Sequence, residues 1–201
     1  MKYSVISILV PMLVCSCGSI PPYAEPDSSQ SAKVRIKNLQ PESYIMLMNA
    51  VDPEKCAVSG VIGWVSGGKE PDARRVGMLD SEETKEGIVE RRVTAGKPIS
   101  FVPGVWAKLD GLTMLGFGSR QQVQAAQTAA CSTPVFIPRT GEEYEVLYNP
   151  LPGVCRVSLI RLSAGPEGKV SREEITGNAT GSVSAEGPWT LGAPGDLKCA
   201  R

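Results

Sequence analysis

Ser66 and Lys69 stand three apart, the S-x-x-K spacing in which a lysine amine draws the proton from a serine nucleophile during acyl transfer. That chemistry needs both side chains on one helical turn. Gly67 and Gly68 fill the interval and Pro71 follows, so helix is disfavoured and the match is read as chance. Arg139-Thr140-Gly141 only loosely echoes the K-T-G strand of such a site. Glu142 and Glu143 are adjacent, so on a strand they face opposite ways and cannot flank one glycosidic bond. Glu82-Glu83, Glu173-Glu174 and Arg91-Arg92 read as solvated surface. Gly116-Phe117-Gly118 lacks the third glycine and the βαβ setting of a dinucleotide loop. The Asn178-Ala179-Thr180 sequon carries little weight. With no His in the chain, the commonest general base and metal ligand are missing, and Ser-His-Asp and Cys-His triads are excluded. No catalytic residue, cofactor or metal site is expected.

The composition points to a place and an architecture more than to a reaction. Lys+Arg and Asp+Glu are both 21 in 201 residues, and a zero net charge argues against a nucleic-acid binder. At 42% hydrophobic the chain builds a core. Its 21 Gly and 16 Pro, with aromatics at only 5%, suit turn-rich β structure better than a helical bundle.

At the N-terminus, Lys2 precedes the apolar run from Val5 to Val14. That run is too short to span a bilayer, which takes roughly 20 residues, and it fits the apolar core of a signal peptide. Val14-Cys15-Ser16-Cys17 then resembles a bacterial lipobox. Cys17 fits the modified position, with Val14 at −3 and the small Ser16 at −1; Cys15 does not, because Val14 would occupy −1. The resemblance implies a signal peptide over residues 1–16, a diacylglycerol on the Cys17 thiol, and a membrane as partner through acyl chains. Each buried CH₂ adds about 0.8 kcal/mol, so several chains hold firmly. Gly18, rather than Asp, after the lipidated Cys implies the outer membrane of a Gram-negative cell, on its periplasmic face. Residues 17–32, rich in Pro, Ser and acidic side chains, read as a flexible tether lifting the domain off the bilayer.

From Lys33 to about residue 162 the pattern is that of strands. Val34 and Ile36 alternate with Arg35 and Lys37, and Tyr44 to Val51 is a nearly continuous apolar run. Ile88 to Val93, a turn at Ala95-Gly96-Lys97-Pro98, Ile99 to Val102 and Leu112 to Phe117 follow. Pro134 to Ile137, Tyr144 to Tyr148 and Val154 to Leu162, separated by Pro138 to Gly141 and Asn149 to Gly153, predict a three-stranded antiparallel meander. Gly60 to Met78 reads as a long loop. Asp80 with Glu83 offers a capping box, and Gln121 to Ala130 a short helix. Residues 163–201 read as a loosely ordered tail. Trp64, Trp106 and Trp189, all in Gly/Pro-rich stretches, are expected to pack onto the sheet.

Cys56, Cys131, Cys155 and Cys199 remain after the lipobox, an even set that in an exported chain reads as two disulfides. They lack the paired spacing of a four-thiolate zinc site and form no C-x-x-C motif. Of three connectivities, the meander favours Cys131–Cys155, since both fall at the same end of it. Cys56–Cys199 is then left to tie down the tail. Loop entropy gives about 3 kcal/mol for the short loop and about 5 for the long one.

Cys131-x-x-x-Val135-x-Ile137-Pro138-x-x-Gly141-x-x-Tyr144-x-Val146, continued by Cys155-x-Val157, is similar to a segment of small proteobacterial lipoproteins. So are Arg92-Val93-x-Ala95-Gly96-Lys97-Pro98 and Ala32-x-Val34-Arg35. The resemblance covers about residues 33–162. It implies a β-rich domain closed by that segment, and no activity. The Gly141–Tyr144 spacing also resembles the corner of transthyretin-like and immunoglobulin-like sandwiches. The expected fold is mainly β, an antiparallel sandwich or sheet with at most one or two short helices. The expected role is structural or interaction-based, with an envelope protein as partner and no nucleic acid. A periplasmic ligand-binding or inhibitor module is the alternative.

Overall fold

The computed structural model describes residues 20–40, 44–65, 75–79, 87–108, 131–151, 154–186 and 196–200. The strands are β1 (Ser31–Asn38), β2 (Tyr44–Asp52), β3 (Ala57–Val65), β4 (Ile88–Thr94), β5 (Ser100–Lys108), β6 (Thr133–Val135), β7 (Glu143–Leu151), β8 (Val154–Ala164), β9 (Val170–Glu174), β10 (Gly181–Glu186) and β11 (Asp196–Ala200). Three single 3₁₀ turns are the only helical segments among the described residues. The Leu112 to Phe117 strand, the Gln121 to Ala130 helix and the Asp80 capping box lie outside them.

The strands form three sheets, in the orders β4-β1-β7-β8-β9, β3-β2-β5 and β11-β10-β6, and none closes into a barrel. The first two share one core. Val34, Ile36, Val89, Val146, Tyr148 and Leu159 come from the five-stranded sheet; Met46, Met48, Ile62 and Phe101 come from β2, β3 and β5. Burying each such side chain contributes about 1.5–3 kcal/mol. Tyr148 is fully buried and its hydroxyl donates to the Phe101 carbonyl, which satisfies the one polar group it brings across the sandwich. The third sheet packs at the side through a smaller cluster of Val51, Val102, Val135 and Val183.

The mainly β class is as expected, but the strand pairing around the expected meander differs. β7 and β8 form the antiparallel hairpin, with β7 running on to Leu151. β6 does not complete a meander with them: it pairs with β10 in another sheet. The second neighbour of β7 is β1, in a parallel pairing that matches Arg35 with Glu145. Alternation identifies a strand but not its partner, and here the hairpin-adjacent position is taken by a strand about 110 residues away.

The tail expectation is corrected. β8 runs to Ala164, and β9, β10 and β11 follow as paired strands. Few apolar residues are needed there: Val183 is buried, and Leu197 and Cys199 pack against the small cluster. β9, mostly exposed side chains, is held by its backbone pairing to β8. The long-loop expectation is corrected over Gly60 to Val65, which belong to β3, while 75–79 have no regular structure. The tether is also corrected where it is described. Pro22 forms a parallel bridge with Val61, the Tyr23 N–H donates to Val61 O at 2.9 Å, and the Val61 N–H donates to Pro21 O at 2.9 Å. Tyr23 packs against the main core. A Pro-rich segment needs only alternate backbone groups to bond to a strand edge, and Tyr23 supplies the apolar contact.

Candidate functional site

Period-2 geometry puts Lys33, Arg35 and Lys37 on the face of β1 opposite Val34 and Ile36. That face is not solvated. Arg35 is 3% exposed, Lys37 2%, and the cross-strand partners Glu90 on β4 and Glu145 on β7 are 2% and 0% exposed. Arg35 lies between the two carboxylates. Its Nε and Nη2 donate to Glu90 Oε1 at 3.0 and 2.8 Å, and its Nη1 donates to Glu145 Oε1 at 2.9 Å. Arg172 on β9 approaches Glu145 Oε2 at 2.7 Å, an ion pair outside hydrogen-bonding geometry.

Residues 75–79 run over this layer and are tied to it. The Val76 N–H donates to Glu90 Oε2 at 2.8 Å, and Arg75 Nη1 stands 3.4 Å from Glu90 Oε1. Lys33 Nζ donates to Gly77 O at 2.6 Å and to Glu143 Oε1 at 3.0 Å, while the Leu79 N–H donates to Glu143 Oε2 at 2.6 Å. A segment without regular structure thus bonds to side chains instead of to a sheet.

The electrostatics suit a fixed ionic layer rather than proton transfer. Burial pushes the Glu90 carboxyl up, but Arg35 and the Val76 N–H outweigh it and hold the group below the usual glutamate value. Arg35 is likewise disfavoured by burial, yet Glu145 and Glu90 raise it further. A general acid would need a carboxyl raised toward neutrality, the opposite of the shift at Glu90.

A second feature is a cleft of about 240 Å³ at one end of the sandwich. Tyr23, Val51 and Ile99 supply its apolar wall, and Asp52, Glu54, Thr94 and Lys97 its polar rim. Burial raises the Tyr23 phenol, against hydrogen bonds from Thr94. No local sequence pattern signals this cleft, because two separate turns and the docked N-terminal segment compose it.

The four later cysteines come together as Cys56–Cys199 and Cys131–Cys155, with Cα separations of 5.9 and 5.0 Å. This is the favoured pairing, although β6 and β7 are not neighbours in one sheet. Cys131, just before β6, is buried in the main core and meets Cys155 on β8, which packs against that core. Cys17, Ser66, Lys69, Gly116, Gly118 and Trp189 lie outside the described residues, as does the Trp106 side chain. Trp64 does not pack onto the sheet: it is 43% exposed on β3. Arg139 to Gly141 form an exposed turn, with Gly141 at φ +77°. The Arg139 N–H donates to Tyr144 Oη at 3.1 Å and the Tyr144 hydroxyl donates to Glu142 Oε2 at 2.5 Å. That back-bond from a strand-start tyrosine to backbone a few residues upstream is the tyrosine-corner geometry of some sandwiches. It speaks to local folding alone.

Among the described residues no cluster of three His, Cys, Asp or Glu is placed to hold a metal ion, and no helix is long and apolar enough to cross a membrane. No protein-family model matches the chain, and neither a curated protein nor a solved structure matches it.

Proposed function

We propose that this chain is an exported lipoprotein of the cell envelope, held by acyl chains on Cys17 to the periplasmic face of a Gram-negative outer membrane. Its role in this reading is structural or interaction-based, with another envelope protein as partner, and it is not an enzyme. The observation that carries the reading is the cysteine accounting. Two disulfides use Cys56, Cys131, Cys155 and Cys199, and such bonds persist in oxidising compartments. Cys15 and Cys17 are left, and Cys17, preceded by the small Ser16, is the one that fits the modified position. The ionic layer supports the non-enzymatic half: Arg35, Glu90 and Glu145 engage one another and the 75–79 segment.

The cleft beside Tyr23 favours a second reading, a small ligand-binding or inhibitor module. Its volume is below the roughly 300–1,000 Å³ of most small-molecule sites. Mass spectrometry of protein purified from membranes and digested without reduction tests the main reading. An acylated peptide beginning at Cys17 supports it. An unmodified N-terminus overturns it. Crosslinking in the intact envelope then seeks the protein partner, and recovery of the chain without any crosslinked protein overturns the interaction role.

A further inference from the structure

Pro21 to Glu25 are fastened to the body by more than the two backbone hydrogen bonds at Val61. Glu25 Oε1 lies 3.7 Å from Arg91 Nε, and the Arg92 N–H donates to Glu25 Oε2 at 3.4 Å. Arg91 Nη2 in turn donates to Ile62 O at 2.6 Å, so one guanidinium links β4, β3 and the N-terminal segment. The segment lies so close to β3 that a Cβ on Gly60 would stand 2.5 Å from Tyr23 Cα and 2.7 Å from its nitrogen. Only glycine leaves room for that approach.

The bridge is parallel, so traced back from Pro22 the chain leaves toward the start of β3. The start of β3 adjoins the β2–β3 turn, Pro53 to Cys56, and the cleft brings Glu54 of that turn beside Thr94 and Lys97. From Ile20 only Gly18 and Ser19 intervene before Cys17, three chain steps with a reach of at most about 11 Å.

We infer that the docked N-terminal segment holds this end of the sandwich, the β2–β3 turn and the Ala95–Pro98 turn, against the lipid headgroups. The partner of this surface is the bilayer itself, and the inference rests on acylation of Cys17. The segment therefore acts as a short rigid strap, in place of a flexible tether over its described part. The opposite end, where Asn38 pairs with Tyr148 and Arg156 pairs with Asn149, points away from the membrane in this arrangement. The two ends are separated by the length of β1, about 25 Å.

The test uses the full-length protein expressed in cells, purified from membranes and reconstituted into vesicles carrying a nitroxide on the lipid headgroup. A fluorescent amino acid is placed at Lys55 or at Arg156, both exposed, so that no new thiol competes with the disulfides. The label at 55 is expected to be quenched and the label at 156 to be unaffected. Gly60→Ala releases the strap and is expected to abolish the difference. If Gly60→Ala fails to fold, insertion of about twelve Gly/Ser residues after Ser19 lifts the domain without touching it, and quenching at 55 is expected to be lost. Equal quenching at both positions, or full quenching at 55 with the lengthened spacer, overturns the orientation. Acylation is read by mass spectrometry on the same sample. An unacylated Cys17 overturns the anchored reading and the orientation together, whereas an acylated Cys17 with equal quenching overturns the orientation alone.

Discussion

Replacing Arg35 by Met is expected to cost about 3 kcal/mol at pH 7. Met keeps an unbranched stem in the same slot, so the loss is of charge more than of volume. Breaking a buried ion pair by removing one partner costs about 3–5 kcal/mol, because the other charge stays buried. Two carboxylates depend on Arg35 here. Among the described residues each keeps a further cation, Arg75 at 3.4 Å from Glu90 and Arg172 at 2.7 Å from Glu145, which places the expected loss at the low end of the range. Urea unfolding with the disulfides intact reads the effect without adding salt that would screen it. At ordinary urea slopes the midpoint falls by roughly 1–2 M. The pH dependence separates this cause from simple loss of packing. In the wild type the folded-state value of Glu90 lies below its unfolded one, so its contribution is present above the ordinary glutamate value and is lost as pH falls through the folded one. In Arg35→Met burial remains while its main cation is gone, so Glu90 binds its proton more readily when folded and acid relieves the defect. The gap between wild type and variant should therefore narrow from pH 7 to pH 4. Arg35→Met with Glu90→Leu and Glu145→Leu removes the three central charges of the layer, leaving Lys37 as its buried charge, and should recover part of the loss. A single-variant loss under about 1 kcal/mol, or a gap that does not change with pH, refutes a desolvated structural layer.

Tyr144 has its value pushed up to about 12 by burial and by the Glu142 carboxylate that accepts its hydrogen bond, so the unfolded chain ionises first. Stability should then be intact below pH 10 and fall by about 1–2 kcal/mol between pH 10 and 12, less steeply in Tyr144→Phe, as read by thermal melts. Cys131→Ser with Cys155→Ser should lower stability by about 3 kcal/mol, and Cys56→Ser with Cys199→Ser by about 5, in chemical denaturation of the purified domain. Leu159→Ala, at the centre of the shared core, should cost about 2–5 kcal/mol in the same assay.

Strand positions were legible because the apolar residues repeat at the strand period: Val34 with Ile36, and Val146 with Tyr148, face one core. The docked Pro21 to Glu25 segment was not legible. Its attachment depends on space left by Gly60, about 40 residues away in sequence, and no local pattern reports such a vacancy. The tail was misread for a related reason. A strand such as Val170–Glu174 is held by backbone pairing, which its polar side chains do not announce. The sulfur pairing is legible for a partly different reason, since Cys131 precedes β6, which lies in a different sheet from Cys155, and no meander joins them.

The charged face of β1 shows what such a strand gains from burial. Lys33, Arg35 and Lys37 alternate with Val34 and Ile36, a pattern that usually leaves one strand face in water, yet here both faces are largely covered. β1 pairs in parallel with β7 and no short turn joins them, so loop geometry cannot fix their register. The ion pairs can. Lys33 meets Glu143 and Arg35 meets Glu145 only in the observed alignment. A shift by one residue would drive three cations into the apolar core and leave Glu90 and Glu145 buried without Arg35, a penalty of several kcal/mol. The same contacts fasten residues 75–79 over the sheet through Val76 and Leu79. The layer thus favours one strand order where hydrophobic burial alone leaves the choice open, with Arg35, Glu90 and Glu145 engaged inside the domain.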